Sequence, residues 1–190
     1  MSHPTKLSAG DSALLVIDVQ DKLLAKMPDV PRLVGNIAFL IDAARLLDVP
    51  VAATEQYPKG LGPTTAELAQ RLPVRPDKVV FSCCAIPAVV EGFRAAARPK
   101  VILAGMETHV CVLQTALDLL SQDFRVYIPV DAVGSRFAID HEQAIRRLDR
   151  AGAIITTSET AVFEWLGGAN HPKFKQVSAL IQERMKTIGN

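Results

Sequence analysis

The feature that most constrains this chain is the regular alternation of short, continuous apolar runs with stretches of helical spacing. Ala13-Leu14-Leu15-Val16-Ile17 is apolar throughout and stops at Asp18. A run without polar alternation suits a strand buried on both faces, the signature of a parallel sheet covered by helices. Pro31 to Leu47 follows, with Leu33, Ile37, Leu40, Ile41, Ala44 and Leu47 on one helical face. The order repeats: strands are predicted at Pro50–Thr54, Val79–Phe81, Lys100–Ala104 (closed by Gly105), Phe124–Val130 and Ala153–Thr156. Helices are predicted from Thr64 or Thr65 onward, then over Pro87–Ala97, Thr108–Ser121 and Asp140–Ala151. Glu159–Leu166 and Lys173–Met185 read as closing helices. The pattern predicts a three-layer α/β sandwich, Rossmann-like, with a six-stranded parallel sheet and helices on both faces. No linker or repeat divides the 190 residues, so one domain is expected over 1–190, with its core at about 13–157 and C-terminal helices at 159–186.

Composition removes several function classes. The formal net charge is +1, which offers no basic surface for nucleic acid. The longest apolar runs fall far short of the roughly 20 residues that cross a bilayer. Met1 to Gly10 is polar and lacks the apolar stretch of a secretory leader. Three cysteines, Cys83, Cys84 and Cys111, are an odd number without secretory context, which argues for a reduced, cytoplasmic protein. The histidines show no metal-ligand spacing, so no metal and no cofactor are expected. There is no GxGxxG after the first strand, no P-loop and no GxSxG elbow.

In open parallel sheets, ligands bind outside the carboxyl ends of the strands. That rule selects Asp18 and Gln20, then Thr54 to Tyr57, then Gly105 to Cys111, then Asp131. Cys111 falls in the first turn of its helix, where the macrodipole and free N–H groups favour thiolate and can hold an oxyanion. The same position suits a small buried apolar residue, and position alone does not decide between the two. An aspartate after a strand can equally cap a turn, and most lysines, Lys78 included, read as surface charges. Cys83 and Cys84, adjacent, read as packing residues. His109 stands two residues from Cys111, a spacing that does not face it on a helix. Gln20, Gln56 and Tyr57 are candidates for the wall of a substrate pocket by strand-end position, and each could equally pack a loop.

At these residues the sequence resembles the isochorismatase-like cysteine hydrolases, closest to the isochorismatase-domain-containing subgroup. Three segments match in order: Leu15-Val16-Ile17-Asp18-Val19-Gln20, Lys78-Val79-Val80-Phe81-Ser82 and Gly105-Met106-Glu107-Thr108-His109-Val110-Cys111-Val112. Thr54-Glu55-Gln56-Tyr57-Pro58-Lys59-Gly60-Leu61-Gly62 is similar to the subgroup's own motif, and the likeness runs from about Leu14 to Thr157. The resemblance implies the isochorismatase-like hydrolase fold, with Cys111 as nucleophile, Asp18 as proton acceptor and Lys78 as electrostatic activator. It further implies a cis peptide at Met106–Glu107, an oxyanion site between the N–H groups of Glu107 and Cys111, and assembly into dimers or larger homo-oligomers. Nicotinamidases carry an Asp-x-His metal motif that is missing here, which argues against that activity. Enzymes of isochorismate itself commonly lack the cysteine, so Cys111 leans toward acyl transfer from a small-molecule amide or related C–N compound to water. Two other readings follow from the same resemblance: an oligomeric interaction protein with reduced catalysis, and a hydrolase of an isochorismate-like ether. Cys84 stands where many members have an apolar or aromatic residue after the serine, so the pocket shape differs.

Overall fold

A computed structural model describes residues 3–188, with Met1 and Ser2 of the polar N-terminal stretch and Gly189 and Asn190 outside them. The strands are β1 (Ser12–Ile17), β2 (Val51–Gln56), β3 (Asp77–Lys78), β4 (Lys100–Met106), β5 (Arg125–Pro129), β6 (Val133–Gly134) and β7 (Ile154–Thr156). The helices are α1 (Asp21–Leu24), α2 (Val30–Leu46), α3 (Pro58–Leu61), α4 (Ala66–Ala69), α5 (Pro87–Ala95), α6 (Leu113–Leu120), α7 (Ala138–Arg150), α8 (Ser158–Leu166) and α9 (Phe174–Ile188).

All named strand pairs are parallel, in the order β3-β2-β1-β4-β5-β7, with β6 added on β4 beyond the end of β5. The sheet thus has seven strands where six were predicted, because β6 is two residues long and carries no periodic signal. Alternation along β1 divides the core. Leu14 and Val16 join α2, α8 and α9 on one face. Ala13, Leu15 and Ile17 join α5, α6 and α7 on the other. Each side chain in β1 is buried, as a central parallel strand requires.

The third strand is a correction. Val79, Val80 and Phe81 were predicted to form it, but the pairing with β2 covers only Asp77 and Lys78. The apolar triplet lies past the last rung, and its three side chains are exposed. The sheet edge there has no further neighbour to pair with, so apolar character alone cannot extend it. Cys83 and Cys84 likewise belong to a short 3-10 turn, Cys83–Ala85, started by Ser82 accepting from Cys84 N–H. β4 runs on through Gly105 and Met106 instead of closing at Gly105.

β1 leads leftward to β2 and β3, and the chain then crosses to β4 on the other side of β1. The carboxyl ends of β1 and β4 therefore flank the point where winding reverses, and Asp18 and the turn Glu107–Cys111 both leave the sheet there.

Candidate active site

Asp18 follows the last residue of β1 and takes a left-handed backbone, φ 52°, which aspartate tolerates better than most residues. Its N–H still donates to Thr54 O, 3.2 Å away, so the turn begins without losing contact with β2. The side chain is fully buried. Lys78 Nζ donates to Oδ2 at 2.7 Å, and Thr54 Oγ1 donates to Oδ1 at 2.8 Å. The Cys111 thiol lies close enough to the same carboxylate for the Asp18 charge to push its pKa upward. Three distant stretches of chain thus meet at one carboxylate: β1, the end of β3 and the turn after β4.

Lys78 is the last residue of β3, opposite Gln56 in the register, and its side chain is buried. Burial, the largest single influence, pulls its ammonium toward neutrality, but Asp18 together with the Cys83 and Cys111 sulfurs outweighs it and the net shift is upward from 10.5. Lys78 is therefore a charged lysine inside the protein and not the solvated surface cation that its residue type suggests.

Cys111 lies in a π-helical turn, Thr108–Val112, that opens directly into α6. Glu107 O accepts from both Val110 N–H (3.0 Å) and Val112 N–H (3.2 Å), which tightens the turn over the preceding residue. The Met106–Glu107 peptide is cis. The sequence reading favoured thiolate at this helix start. The structure corrects it: burial first, and the Asp18 charge second, push the thiol well above its ordinary value, while Lys78 pulls the other way without winning.

Gly105 allows this convergence. It has φ 119°, and a Cβ there would stand 2.1 Å from Ile17 O. Only glycine lets β4 approach β1 closely enough to place Cys111 on Asp18.

The other predicted residues divide. Gln20 is fully buried, and its amide is spent on backbone: Oε1 accepts from Gln56 N–H at 2.7 Å, and Nε2 donates to Gln56 O at 3.0 Å and Gly62 O at 2.6 Å. Gln56 is engaged by Lys78 Nζ at 2.7 Å and by Val79 O at 2.8 Å. Both amides are thus held by hydrogen bonds within the protein. Tyr57 is half exposed, in a left-handed conformation, with its ring folded over Gly60. His109 Nδ1 is hydrogen-bonded to Ser135 Oγ at 3.0 Å. Glu107 is buried and accepts from Arg136 N–H and Nε. Asp131 accepts from Ser158 N–H at 2.7 Å, ahead of α8, and pairs with Arg184 of α9 at 3.0 Å. Among the described residues, no three His, Cys, Asp or Glu side chains gather as a metal-binding group.

Sequence reasoning reached Thr54 only as one of four residues after β2 and did not reach Cys83 as a neighbour of the centre. Cys83 is buried, 3.4 Å from Thr54 Oγ1, and burial followed by the Asp18 charge pushes it up to about 11. The spacing Asp18-x-Gln20 beside Thr54-x-Gln56 was the available signal, since i and i+2 residues of neighbouring strands share a face.

Residues 12–160 match the family model described as Isochorismatase domain. The chain belongs to the isochorismatase family. Among its relatives, bovine isochorismatase domain-containing protein 2 is 41% identical over 177 residues, covering 92% of this chain and 84% of that protein. A solved structure described as MAR1 ribonuclease from Caenorhabditis elegans is 42% identical, with a TM-score of 0.87 over 94% of this chain and 93% of that one. The YcaC gene product from Escherichia coli, described as an octameric hydrolase of unknown specificity, shares the fold at 24% identity, with a TM-score of 0.85 over 98% of this chain and 92% of that one. This isochorismatase-family chain is accordingly placed among hydrolases, with its buried Asp18–Lys78–Cys111 cluster at the carboxyl rim of β1, β3 and β4.

Proposed function

We propose that the chain is a cysteine-dependent hydrolase of small-molecule amides or related C–N compounds, working through a thioester on Cys111. The observation that carries this reading is the single buried Asp18 carboxylate that accepts from the Lys78 ammonium and the Thr54 hydroxyl, with the Cys111 thiol near enough for that charge to raise its pKa. A thiol that keeps its proton at rest needs a base within hydrogen-bond reach, and Asp18 is that base. As Cys111 Sγ forms its bond to the carbonyl carbon, its proton passes to Asp18 and the carbonyl π electrons move onto oxygen. Lys78 offsets the negative charge that then builds around the sulfur and carboxylate. The N–H groups of Glu107 and Cys111 receive the oxyanion. The tetrahedral intermediate collapses, the C–N bond breaks, and Asp18 returns the proton to the leaving nitrogen. Water then attacks the thioester and releases the acid and the thiol. Cys111 keeps only 5% exposure, which supports a small acyl group as the substrate class.

A screen of small amides, carbamoyl compounds and hydroxamates by intact mass tests the reading. An acyl adduct mapped to Cys111 in the native protein, and lost in Cys111→Ala with the fold unchanged, is the expected result. Turnover by folded Cys111→Ala at the native rate sinks it.

A second reading is favoured by the relative described as a ribonuclease. RNA cleavage by this chain would have to survive without a basic surface, given the net charge of +1. Incubation with RNA separates the two: cleavage that persists in Cys111→Ala and is absent with amides supports the ribonuclease. We further infer assembly with copies of itself, supported by a rim of exposed apolar side chains, and a cytoplasmic setting, supported by three free cysteines. No described helix is long and apolar enough to cross a membrane.

A further inference from the structure

We propose that Gln56 is a positioning residue that fixes the Lys78 ammonium by supplying a neutral second acceptor, and that Gln20 in turn holds Gln56. The proposal rests on the reading of Asp18, Lys78 and Cys111 as one reacting group.

Lys78 Nζ has two acceptors at equal distance: Asp18 Oδ2 at 2.7 Å and Gln56 Oε1 at 2.7 Å. The Gln56 amide has one workable orientation. Its Nε2 donates to Val79 O at 2.8 Å, so reversing it would set NH2 against the ammonium and oxygen against the carbonyl. The backbone of Gln56 is fixed as well. The β1–β2 ladder ends at Ile17 and Thr54, yet two residues further on Gln20 Oε1 takes the Gln56 N–H and Gln20 Nε2 gives to the Gln56 carbonyl. A side chain thus adds a rung where the main chain has turned away at Asp18. Both glutamines are buried, so neither arrangement is shared with solvent.

Neutrality is the point of the second acceptor. A hydrocarbon at position 56 would leave a buried ammonium hydrogen without a partner. A carboxylate there would face Asp18 across the same ammonium and consume the positive field that Cys111 needs when its proton leaves. An amide oxygen directs the ammonium and leaves its charge available. Had Gln56 only tied β2 to the segment after β3, its bond to Val79 O would serve, and its oxygen would not need to meet Lys78.

The test uses the full chain with 15N-labelled lysine, reading the Lys78 ammonium by NMR against pH, together with iodoacetamide alkylation of Cys111 and Cys84 read by peptide mass. In Gln56→Met, which keeps length and loses the acceptor, Lys78 should titrate about one pH unit lower or more. Cys111 alkylation should fall roughly tenfold while Cys84 is unmoved. Gln56→Glu should restore the Lys78 titration and still slow Cys111. An unaltered Lys78 titration in folded Gln56→Met overturns the proposal. Should that variant not fold, Gln20→Met carries the test: a smaller downward shift of Lys78 supports the proposal, and none in the folded protein overturns it. If Lys78 shifts as expected but native Cys111 alkylates no faster than Cys84, the covalent reading fails and the positioning of the ammonium stands.

Discussion

At the scale of single residues, the chemistry follows from where charges are desolvated. Asp18 and Lys78 are both inside the protein, 2.7 Å apart, and each is the other's principal compensation. Removing one leaves the other buried and unpaired, which costs about 3–5 kcal/mol. Lys78→Met should therefore lower stability by about that much in urea unfolding, besides abolishing turnover. The pH dependence has a definite sign. The Lys78 shift is upward, so its contribution is complete below the unfolded-state value near 10.4 and is lost only as pH rises through the higher folded value. Unfolding monitored by urea midpoint should show the Lys78 contribution unchanged as pH rises through neutrality and lost in strong alkali. Cys111 yields a second expectation. Burial and the Asp18 charge push its thiol well above its ordinary value, so under the proposed mechanism alkylation there draws on Asp18 as base and not on free thiolate. Iodoacetamide should modify Cys111 at a rate nearly flat across neutral pH, whereas Cys84 should accelerate about tenfold per pH unit. In Asp18→Asn the Cys111 profile should take on the steep slope of Cys84. A Cys111 rate that climbs as steeply in the native protein would mean that the carboxylate takes no part.

At the scale of elements, β1 and β4 were legible from sequence because continuous apolar runs have no other good home than the middle of a covered parallel sheet. The helices α2, α7 and α9 were legible through 3.6-residue spacing; the carboxyl-end rule then put Asp18 and Cys111 among its candidates, and the family resemblance singled them out. What failed was edge structure. Val79–Phe81 has stronger strand character than Asp77–Lys78, yet pairing is decided by where β2 still offers a rung, and that information is not local. For the same reason Lys78 could not be read as buried: its burial is created by Gln56 and Asp18, which are 22 and 60 residues away in sequence. Gln20 and Gln56 were chosen for position; Gln20 is bonded to backbone of the loop and of β2, and Gln56 divides its amide between the Lys78 ammonium and the Val79 carbonyl. Gly105 shows the element scale most sharply. Its Cβ-less backbone sits against Ile17 O, and its positive φ is closed to other residues. Gly105→Ala should destabilise the fold by about 3 kcal/mol or more, since strain and overpacking add. A urea midpoint close to that of the native protein would show that β4 can recede from β1 at little cost.

At the scale of the molecule, the distribution of exposed apolar side chains bears on how the site is completed. Tyr57 follows β2, Val79 to Phe81 follow β3, and Phe137 and Ile139 follow β6. All are exposed, and because the sheet is parallel all leave it at the same rim as Asp18 and Cys111. Single exposed apolar residues need no explanation, but a set gathered on one rim does. A soluble monomer would gain nothing from presenting Phe137 and Ile139 to water at 61% exposure each. Covering them with another copy of the chain would remove that surface and dry the approach to Cys111, where a drier site strengthens the pull of Lys78 on a forming thiolate. Self-association and chemistry would then be coupled through the rim. The double variant Phe137→Glu/Ile139→Glu should dissociate the assembly by sedimentation velocity, keep the far-UV circular dichroism of the native chain, and slow Cys111 acylation. If the native chain sediments as a monomer at the concentrations where it turns over, the rim has another partner and the centre works without a neighbouring copy.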